Sequence, residues 1–101
     1  MADRLDLQSM LEELLDSRNV YYQPPESTKM KYDAIKYSKK TIVSTYANDA
    51  KYSMMDCYEL IVIATRPDHP VIKKLLMLPY CSYDRRYIAD GLYHDVLTLY
   101  F

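Results

Sequence analysis

The chain has 101 residues, half of them apolar, so we expect one ordinary domain spanning residues 1–101. Thirteen basic and fourteen acidic residues give a formal net charge of -1. This balance excludes the broad positive surface that proteins use to bind nucleic acid without sequence preference, and it favours proteins as partners. The aromatic residues comprise 12 Tyr, 1 Phe and no Trp, and Tyr suits half-buried sheet faces and subunit contacts.

The number of cysteines and the hydropathy of the sequence indicate in which cellular compartment we expect the protein. Cys57 and Cys81 do not form the clustered pattern of a small disulfide-stapled protein, and we expect both to be reduced. The N-terminal segment lacks the apolar core of a signal peptide, and the longest apolar run, Leu60 to Ala64, is too short to span a bilayer. We therefore expect a soluble, intracellular protein without a membrane partner.

The first half of the sequence predicts a helix followed by strands. Apolar residues recur at helical spacing from Leu5 to Leu15, which predicts an amphipathic surface helix. Val20 to Tyr22 is expected to form a short extended piece. A strand is predicted from Met30 to Tyr37, with a bulge near Ala34, and Thr41 to Val43 continues its strand character.

The middle of the sequence predicts a loop and then a buried strand. Ser44 to Asp56 is polar and has no sustained periodicity, so we expect a long loop projecting from the sheet. Tyr58 to Thr65 is apolar at successive positions, which is typical of a central strand buried on both faces.

The last third predicts a short helix and a hairpin. Asp68 is the expected N-cap with Pro70 in the first turn, and the buried side is expected to comprise Val71, Ile72, Leu75, Leu76 and Leu78. Ser82 to Ile88 alternates like a strand and precedes a turn at Asp90-Gly91. The second arm, Tyr93 to Phe101, is predicted to place Leu97, Leu99 and Phe101 on one face.

This order of elements predicts an α+β fold. We expect a mostly antiparallel sheet with an N-terminal helix and a second short helix packed on one face, and a long loop or hairpin projecting from the sheet.

No residue pattern predicts an enzyme. His69 and His94 have no Cys or carboxylate cluster at metal-ligand spacing around them. Cys57 with His94 is a conceivable nucleophile and base, but nothing local activates the thiol, so we interpret Cys57 as a buried structural residue. The single Gly excludes a phosphate-binding loop. We expect no catalytic residue, no metal site and no cofactor.

Two charged groups suggest binding surfaces. The cluster Asp84, Arg85 and Arg86 is interpreted as an ion pair across a subunit boundary, in preference to a solvated edge. A second series resembles a stripe for single-stranded nucleic acid: Lys29, Lys31, Lys36, Lys39 and Lys40, with Tyr32 and Tyr37. The balanced overall charge favours a solvated strand face for this series, so direct nucleic-acid recognition is the alternative hypothesis.

Several segments of the sequence resemble a known family. They are Leu11-Glu12-Glu13-Leu14-Leu15, Asn19-Val20-Tyr21-Tyr22-Gln23-Pro24-Pro25 with Met30-Lys31-Tyr32, and Leu78-Pro79-Tyr80-Cys81-Ser82-Tyr83-Asp84-Arg85 with Asp90, His94-Asp95-Val96 and Leu99-Tyr100-Phe101. Together they look like the small tail-completion proteins of siphophages and prophages, and the predicted element order is similar to the wider tail-terminator fold.

The resemblance implies a mechanical function. Family members form a hexameric ring that caps the tail tube and presents a surface to the connector on the head, so the expected location is the neck of the virion, after assembly in the host cytoplasm. The alternative within the same class is a head-completion protein, a stopper or adaptor. The residues expected to contact a neighbouring subunit or the tube are Tyr46, Tyr52, Met54, Met55, Asp84, Arg85 and Arg86.

Overall fold

The computed structural model describes residues 4–42 and 56–101. The elements in chain order are α1 (Arg4–Leu15), β1 (Val20–Tyr22), β2 (Ala34–Ile42), β3 (Asp56–Ala64), α2 (Pro70–Leu76), β4 (Cys81–Ala89) and β5 (Leu92–Tyr100). The predicted α+β class and the order of its two helices are therefore confirmed. The predicted loop falls almost entirely on residues 43–55, outside the described residues.

The strands form one mostly antiparallel sheet. Their order is β1-β2-β3-β5-β4, and the one parallel pair within the described residues is β1 with β2. β3 lies in the centre, as its continuous apolar run predicted. The hairpin of β4 and β5 follows the expected turn, in which Asp90 and Gly91 both have positive φ, 53° and 74°.

Both helices pack on one face of the sheet. Alternate residues of the three inner strands point to that face and meet the apolar stripes of α1 and α2. The resulting core includes Leu7, Leu11, Ile35, Tyr37, Tyr58, Leu60, Val62, Val71, Leu75, Leu97 and Leu99. We call this the helix side of the sheet and the opposite face the open side.

A polar contact fixes α1 on the sheet. The hydroxyl of buried Tyr37 donates to Gln8 Oε1 at 2.6 Å and accepts from Arg4 Nη1 at 3.3 Å. Gln8 also donates from Nε2 to the carbonyl oxygen of Val20 at 3.0 Å. The phenol therefore gains a partner inside the core, and the helix gains a defined position over β1 and β2.

The predicted limits of β2 were wrong at its start. The strand begins at Ala34 rather than Met30, and its register shift lies between Lys39 and Thr41 rather than near Ala34. Asp33 is directed out of the ladder, because its Oδ1 accepts from the backbone N–H of Thr65 at 3.1 Å. A side chain that bonds a distant backbone group competes with strand pairing at that position.

Asp56 was predicted in the loop but belongs to β3. It pairs with Ile42 on β2, and its backbone N–H and C=O bond Phe101 at 3.0 and 2.9 Å. Its carboxylate also lies 3.1 Å from Lys39 Nζ, an ion pair that ties the start of β3 to β2. These tertiary contacts override the polar composition from which the loop was predicted.

The predicted cap and buried side of α2 need correction. The N-cap is His69, whose Nδ1 accepts from the backbone N–H of Val71 at 3.1 Å, whereas Asp68 precedes the cap with φ of 59°. Val71, Ile72 and Leu75 are buried as predicted, whereas Leu76 is 40% exposed. Leu78 lies beyond the helix end at Leu76 and packs, partly buried, against the core. The helix is therefore short, and its last turn leaves apolar surface uncovered.

Candidate interaction site at strand β4

Strand β4 lies at one end of the sheet order. This nine-residue strand pairs with β5 along one edge, and the other edge has no neighbouring strand within residues 4–42 and 56–101. We call this free edge the β4 edge. At the opposite end of the sheet, β1 has only three residues. A long unpaired edge presents backbone donors and acceptors on which another strand can pair.

Apolar side chains surround the β4 edge. In the described part of the chain, the exposed large apolar residues concentrate on β4 and just before it: Leu76, Met77, Tyr80, Tyr83, Tyr87 and Ile88. Met77 is 85% exposed and Ile88 is 65% exposed. Several exposed apolar side chains next to an unpaired strand are typical of a site that another protein covers.

A buried carboxylate organises the helix side of β4. Asp95 on β5 is 2% exposed, and its Oδ1 accepts from the Tyr83 hydroxyl at 2.6 Å and from Arg86 Nε at 2.7 Å. Arg86 Nη2 also lies 2.7 Å from Asp68 Oδ1. Two acidic partners therefore hold the guanidinium, and they raise the pKa of Arg86 further above its ordinary value.

The Asp95 carboxylate also changes the pKa of Tyr83. The hydrogen bond to Asp95 raises the pKa of Tyr83 above its ordinary value, since loss of the phenolic proton would place two negative charges together. Tyr83 thus stays a donor across the physiological range. The network fixes Tyr83 and Arg86 in place at the edge of the sheet.

A groove runs between α2 and β4. It has a volume of about 610 Å³ and is lined by Asp68, His69, Pro70, Ile72, Lys73, Leu76, Tyr83 and Arg86. Its wall combines the uncovered apolar side of α2 with the charged network of β4. Two of its lining residues, Tyr83 and Arg86, belong to β4, so the groove lies beside that strand.

The histidine at the head of this groove has a structural role. His69 Nδ1 accepts from Val71, and His69 Nε2 lies 3.3 Å from Asp33 Oδ2. A neutral ring with its proton on Nε2 satisfies both contacts. Asp33 therefore connects the N-terminus of α2 to the end of β3, where it also binds Thr65.

The predicted contact residues on β4 divide between the two faces. Arg86 points to the helix side, where its partners Asp68 and Asp95 belong to the same chain. Arg85 pairs with Val96 and lies on the open side, where its Nη1 is 2.8 Å from Asp84 Oδ2. The predicted loop residues Tyr46, Tyr52, Met54 and Met55 lie outside the described residues.

A β-bulge determines which of these residues share a face. Tyr83 pairs with Leu97 and Arg85 pairs with Val96, so Asp84 is an additional residue without its own partner on β5. Simple strand alternation would place Arg86 on the same face as Asp84, and the bulge reverses that relation. Asp84 and Arg85 consequently share the open side, and their short contact agrees with this placement.

On the open side, aromatic and basic groups lie together. The rings of Tyr87 and His94 stack with centroids 4.6 Å apart, and the Arg85 guanidinium lies 5.9 Å from the Tyr87 centroid. His94 is thereby held against a tyrosine. Cys57 pairs with Tyr100 while His94 pairs with Ile63, so the thiol and the imidazole lie toward opposite ends of β3.

The nucleic-acid hypothesis loses one of its two stacking residues. Tyr37 is 1% exposed and lies under α1, where its hydroxyl is bound by Gln8 and Arg4. Lys39 is engaged by Asp56. The predicted stripe of lysines and tyrosines therefore does not form a continuous stacking surface for bases.

The cysteines and the possible metal ligands among the described residues are placed as follows. Both cysteines are free, with Cys57 buried and Cys81 half-buried. No group of three or more His, Cys, Asp or Glu residues within the described ranges is arranged to hold a metal ion. Among those residues, no helix has the length and hydropathy needed to cross a membrane.

Sequence reasoning missed the Asp95 network. A usable signal was present, because Asp95 shares strand parity with Leu97 and Leu99, so an acid occupies a position expected to face the core. A carboxylate at such a position needs a cation or several hydrogen-bond donors.

The comparisons with known proteins yield no relative. No family model matches the chain, and no curated protein or solved structure matches it.

Proposed function

We propose that the chain is a structural subunit of a tailed bacteriophage, a tail-terminator or tail-completion protein that forms a ring on the tail tube and joins the tail to the head. The observation that carries the proposal is the β4 edge, a nine-residue strand with an unpaired edge among the described residues. A protein that works by assembly needs such a surface, because contact with another chain satisfies its backbone groups and covers its apolar side chains.

Two further points support this assignment. The order of elements, a first helix, a sheet, a second helix and closing strands, is the order that the sequence resemblance implies. The charged groups of the site are also engaged with each other, since Arg86 binds Asp68 and Asp95, and Arg85 binds Asp84. Such an arrangement suits a rigid binding surface better than acid–base or nucleophilic chemistry.

The proposed partners are further copies of this chain in a hexameric ring, the tail tube protein, and a connector protein on the head side. The proposed location is the neck of the virion. The test is electron microscopy of intact particles carrying a label on this chain. We expect hexameric density at the head-proximal end of the tail tube.

A head-completion role is the second candidate in the same class, since a stopper or adaptor also assembles through uncovered sheet edges. The same images discriminate between the two. A twelve-fold ring against the portal would replace the terminator assignment with an adaptor, and absence of the label from particles would reject both.

A further inference from the structure

The free backbone groups of the β4 edge follow from the turn at one end. In a two-residue turn of this type, Ala89 and Leu92 form a hydrogen-bonded pair. Along an antiparallel strand, successive residues direct their backbone N–H and C=O groups alternately toward one neighbouring strand and away from it. Arg86 and Ile88 therefore direct their backbone N–H and C=O groups away from β5, into the space beside the sheet.

The other end of β4 shows the same alternation. The backbone N–H of Tyr100 donates to the carbonyl oxygen of Tyr80 at 3.1 Å, so Tyr80 faces β5. Cys81 and Tyr83 lie one and three residues after Tyr80, so their backbone groups point away from β5. The β4 edge thus carries two outward residues on each side of the bulge at Asp84.

The bulge makes β4 symmetric about its middle. Because Asp84 and Arg85 share the open side, the order in which side chains alternate between the two faces is the same in both directions along the strand. The helix side carries Cys81, Tyr83, Arg86 and Ile88, and the open side carries Ser82, Asp84, Arg85 and Tyr87. A strand with this property can pair with a copy of itself, antiparallel, with every facing side chain on a common face.

We propose that two copies of the free protein pair through their β4 edges about a two-fold axis at the Asp84-Arg85 bulge. In this register Tyr83 of each copy lies opposite Arg86 of the other, and Cys81 lies opposite Ile88. The two sheets then join into one.

Charge complementarity favours a second copy of the chain as the partner at the β4 edge. Asp84 of each copy meets Arg85 of the other on the open side, so the dimer has two opposite-charge contacts and no like-charge contact directly across the axis. On the helix side, the Tyr83 ring meets the Arg86 guanidinium, an arrangement that favours a cation–π contact. The exposed apolar Ile88 meets half-buried Cys81.

The opposite sheet edge is a poor partner for β4. The outward carbonyl oxygen of Val20 on β1 accepts from Gln8, and the Val20 N–H bonds the carbonyl oxygen of Arg18 at 2.8 Å. β1 therefore offers only Tyr22 for strand pairing. A head-to-tail contact of β4 with β1 would leave most of the β4 edge uncovered.

This inference goes beyond the proposed function. A two-fold contact uses the same surface on both copies and cannot extend into a ring or a filament. The dimer accordingly covers the β4 edge in the free protein, before the subunit meets the tail. It is measured on the isolated protein, whereas the ring is measured in particles, so either can fail while the other stands.

Charge reversal tests the contact across the axis. The wild-type chain should sediment at twice its 12.0 kDa mass. Asp84→Arg and Arg85→Asp should each raise the dimer dissociation constant at least about tenfold, because each creates two like-charge contacts. An equimolar mixture of the two variants should form mixed dimers with near wild-type affinity. A wild-type protein that stays monomeric at millimolar concentration, or a mixture that does not associate, would overturn the proposal.

Disulfide formation tests the register. Hydrogen-bonded antiparallel residues have Cα atoms about 5.5 Å apart, within the span of a disulfide. Ile88→Cys should therefore cross-link to native Cys81 of the second copy when diamide is added. Tyr87→Cys, on the open side, should not, and Ile88→Cys with Cys81→Ser should remain uncross-linked. Equal cross-linking of the Tyr87→Cys and Ile88→Cys variants, or none in either, would refute the stated pairing.

Discussion

Arg86 and Asp95 face each other across the β4–β5 ladder, and their Nε and Oδ1 atoms lie 2.7 Å apart. The two residues are not equally exposed, since the Asp95 side chain is 2% exposed and that of Arg86 is 35% exposed. The contact therefore satisfies a carboxylate that water does not reach. Its main contribution is to prevent an uncompensated charge at the border of the core.

The first prediction concerns that contact. Arg86→Met should lower the free energy of unfolding more than the loss of an exposed ion pair does, because it leaves the buried Asp95 carboxylate without its cation. Urea unfolding measures the change. Arg85→Met is the matched control at a protein concentration low enough for the chain to be monomeric, since its ion pair with Asp84 is exposed and its loss should cost less than about 0.5 kcal/mol. Equal effects of the two substitutions would contradict the described roles.

The second prediction concerns the cap of α2. His69→Ala removes the acceptor for the Val71 N–H and the contact with Asp33, and it should destabilise the fold by about 1 kcal/mol. His69→Asn should recover most of this loss, because the Asn side chain also caps. His69→Asp should recover less, since it sets a second carboxylate beside Asp33. Thermal unfolding of the three variants provides the comparison.

The third prediction concerns β5. Leu99 is 2% exposed in the core, so Leu99→Ala should cost about 2–5 kcal/mol. Deletion of residues 99–101 should prevent folding, because it also removes the backbone pairing of Phe101 with Asp56. Leu5→Ala, at a 63% exposed position, is the control and should leave the urea midpoint nearly unchanged. An unaltered melting temperature after the deletion would show that this arm lies outside the core.

The fourth prediction concerns alkaline pH. Burial raises the pKa values of Tyr37 and Tyr58, and the bond to Asp95 raises that of Tyr83. Groups with raised pKa values in the folded state lose protons more readily when unfolded, so their contribution to stability is complete below pH about 10 and is lost as pH rises through the folded values. Urea unfolding should show this decline, and Tyr58→Phe should make it smaller. A free energy of unfolding that stays constant through that interval would contradict the prediction.

The fifth prediction concerns residues 43–55. Ile42 and Asp56 pair directly, so the sheet fixes the two ends of this segment close together. Shortening Ala47 to Ser53 to a tight turn should leave the melting temperature unchanged while infected cells accumulate separate heads and tails. Long connections between strands commonly carry binding residues. Normal yields of joined particles would show that this segment is dispensable and would direct attention to the sheet edges.

Local periodicity was sufficient for much of the fold. The stripe of α1, the apolar run of β3 and the turn at Asp90-Gly91 depend on neighbours in the sequence, and the structure confirms all three. The start of β2 and the cap at His69 were not predictable in this way. Both depend on Asp33, whose carboxylate binds Thr65 and contacts His69 through tertiary structure.

The candidate site was predictable only in part. Asp84, Arg85 and Arg86 attracted attention as a charge cluster, but which two of them share a face depends on the bulge. Alternation alone separates Arg85 from Arg86 but groups Asp84 with Arg86, and only the bulge places Asp84 with Arg85. The pairing of Arg86 with Asp95 requires the register of the hairpin, which is set by the turn and shifted by one residue at Asp84.

The backbone pairing of Asp56 with Phe101 has a consequence for orienting the subunit in a particle. It brings residues 42, 56 and 101 to one end of the sheet, whereas Arg66 and the Asp90-Gly91 turn follow the strands at the other end. A label after Phe101 and a label on Arg66→Cys therefore mark opposite poles of the molecule. Imaging the two labels in separate particles would show which pole points toward the head and which toward the tail.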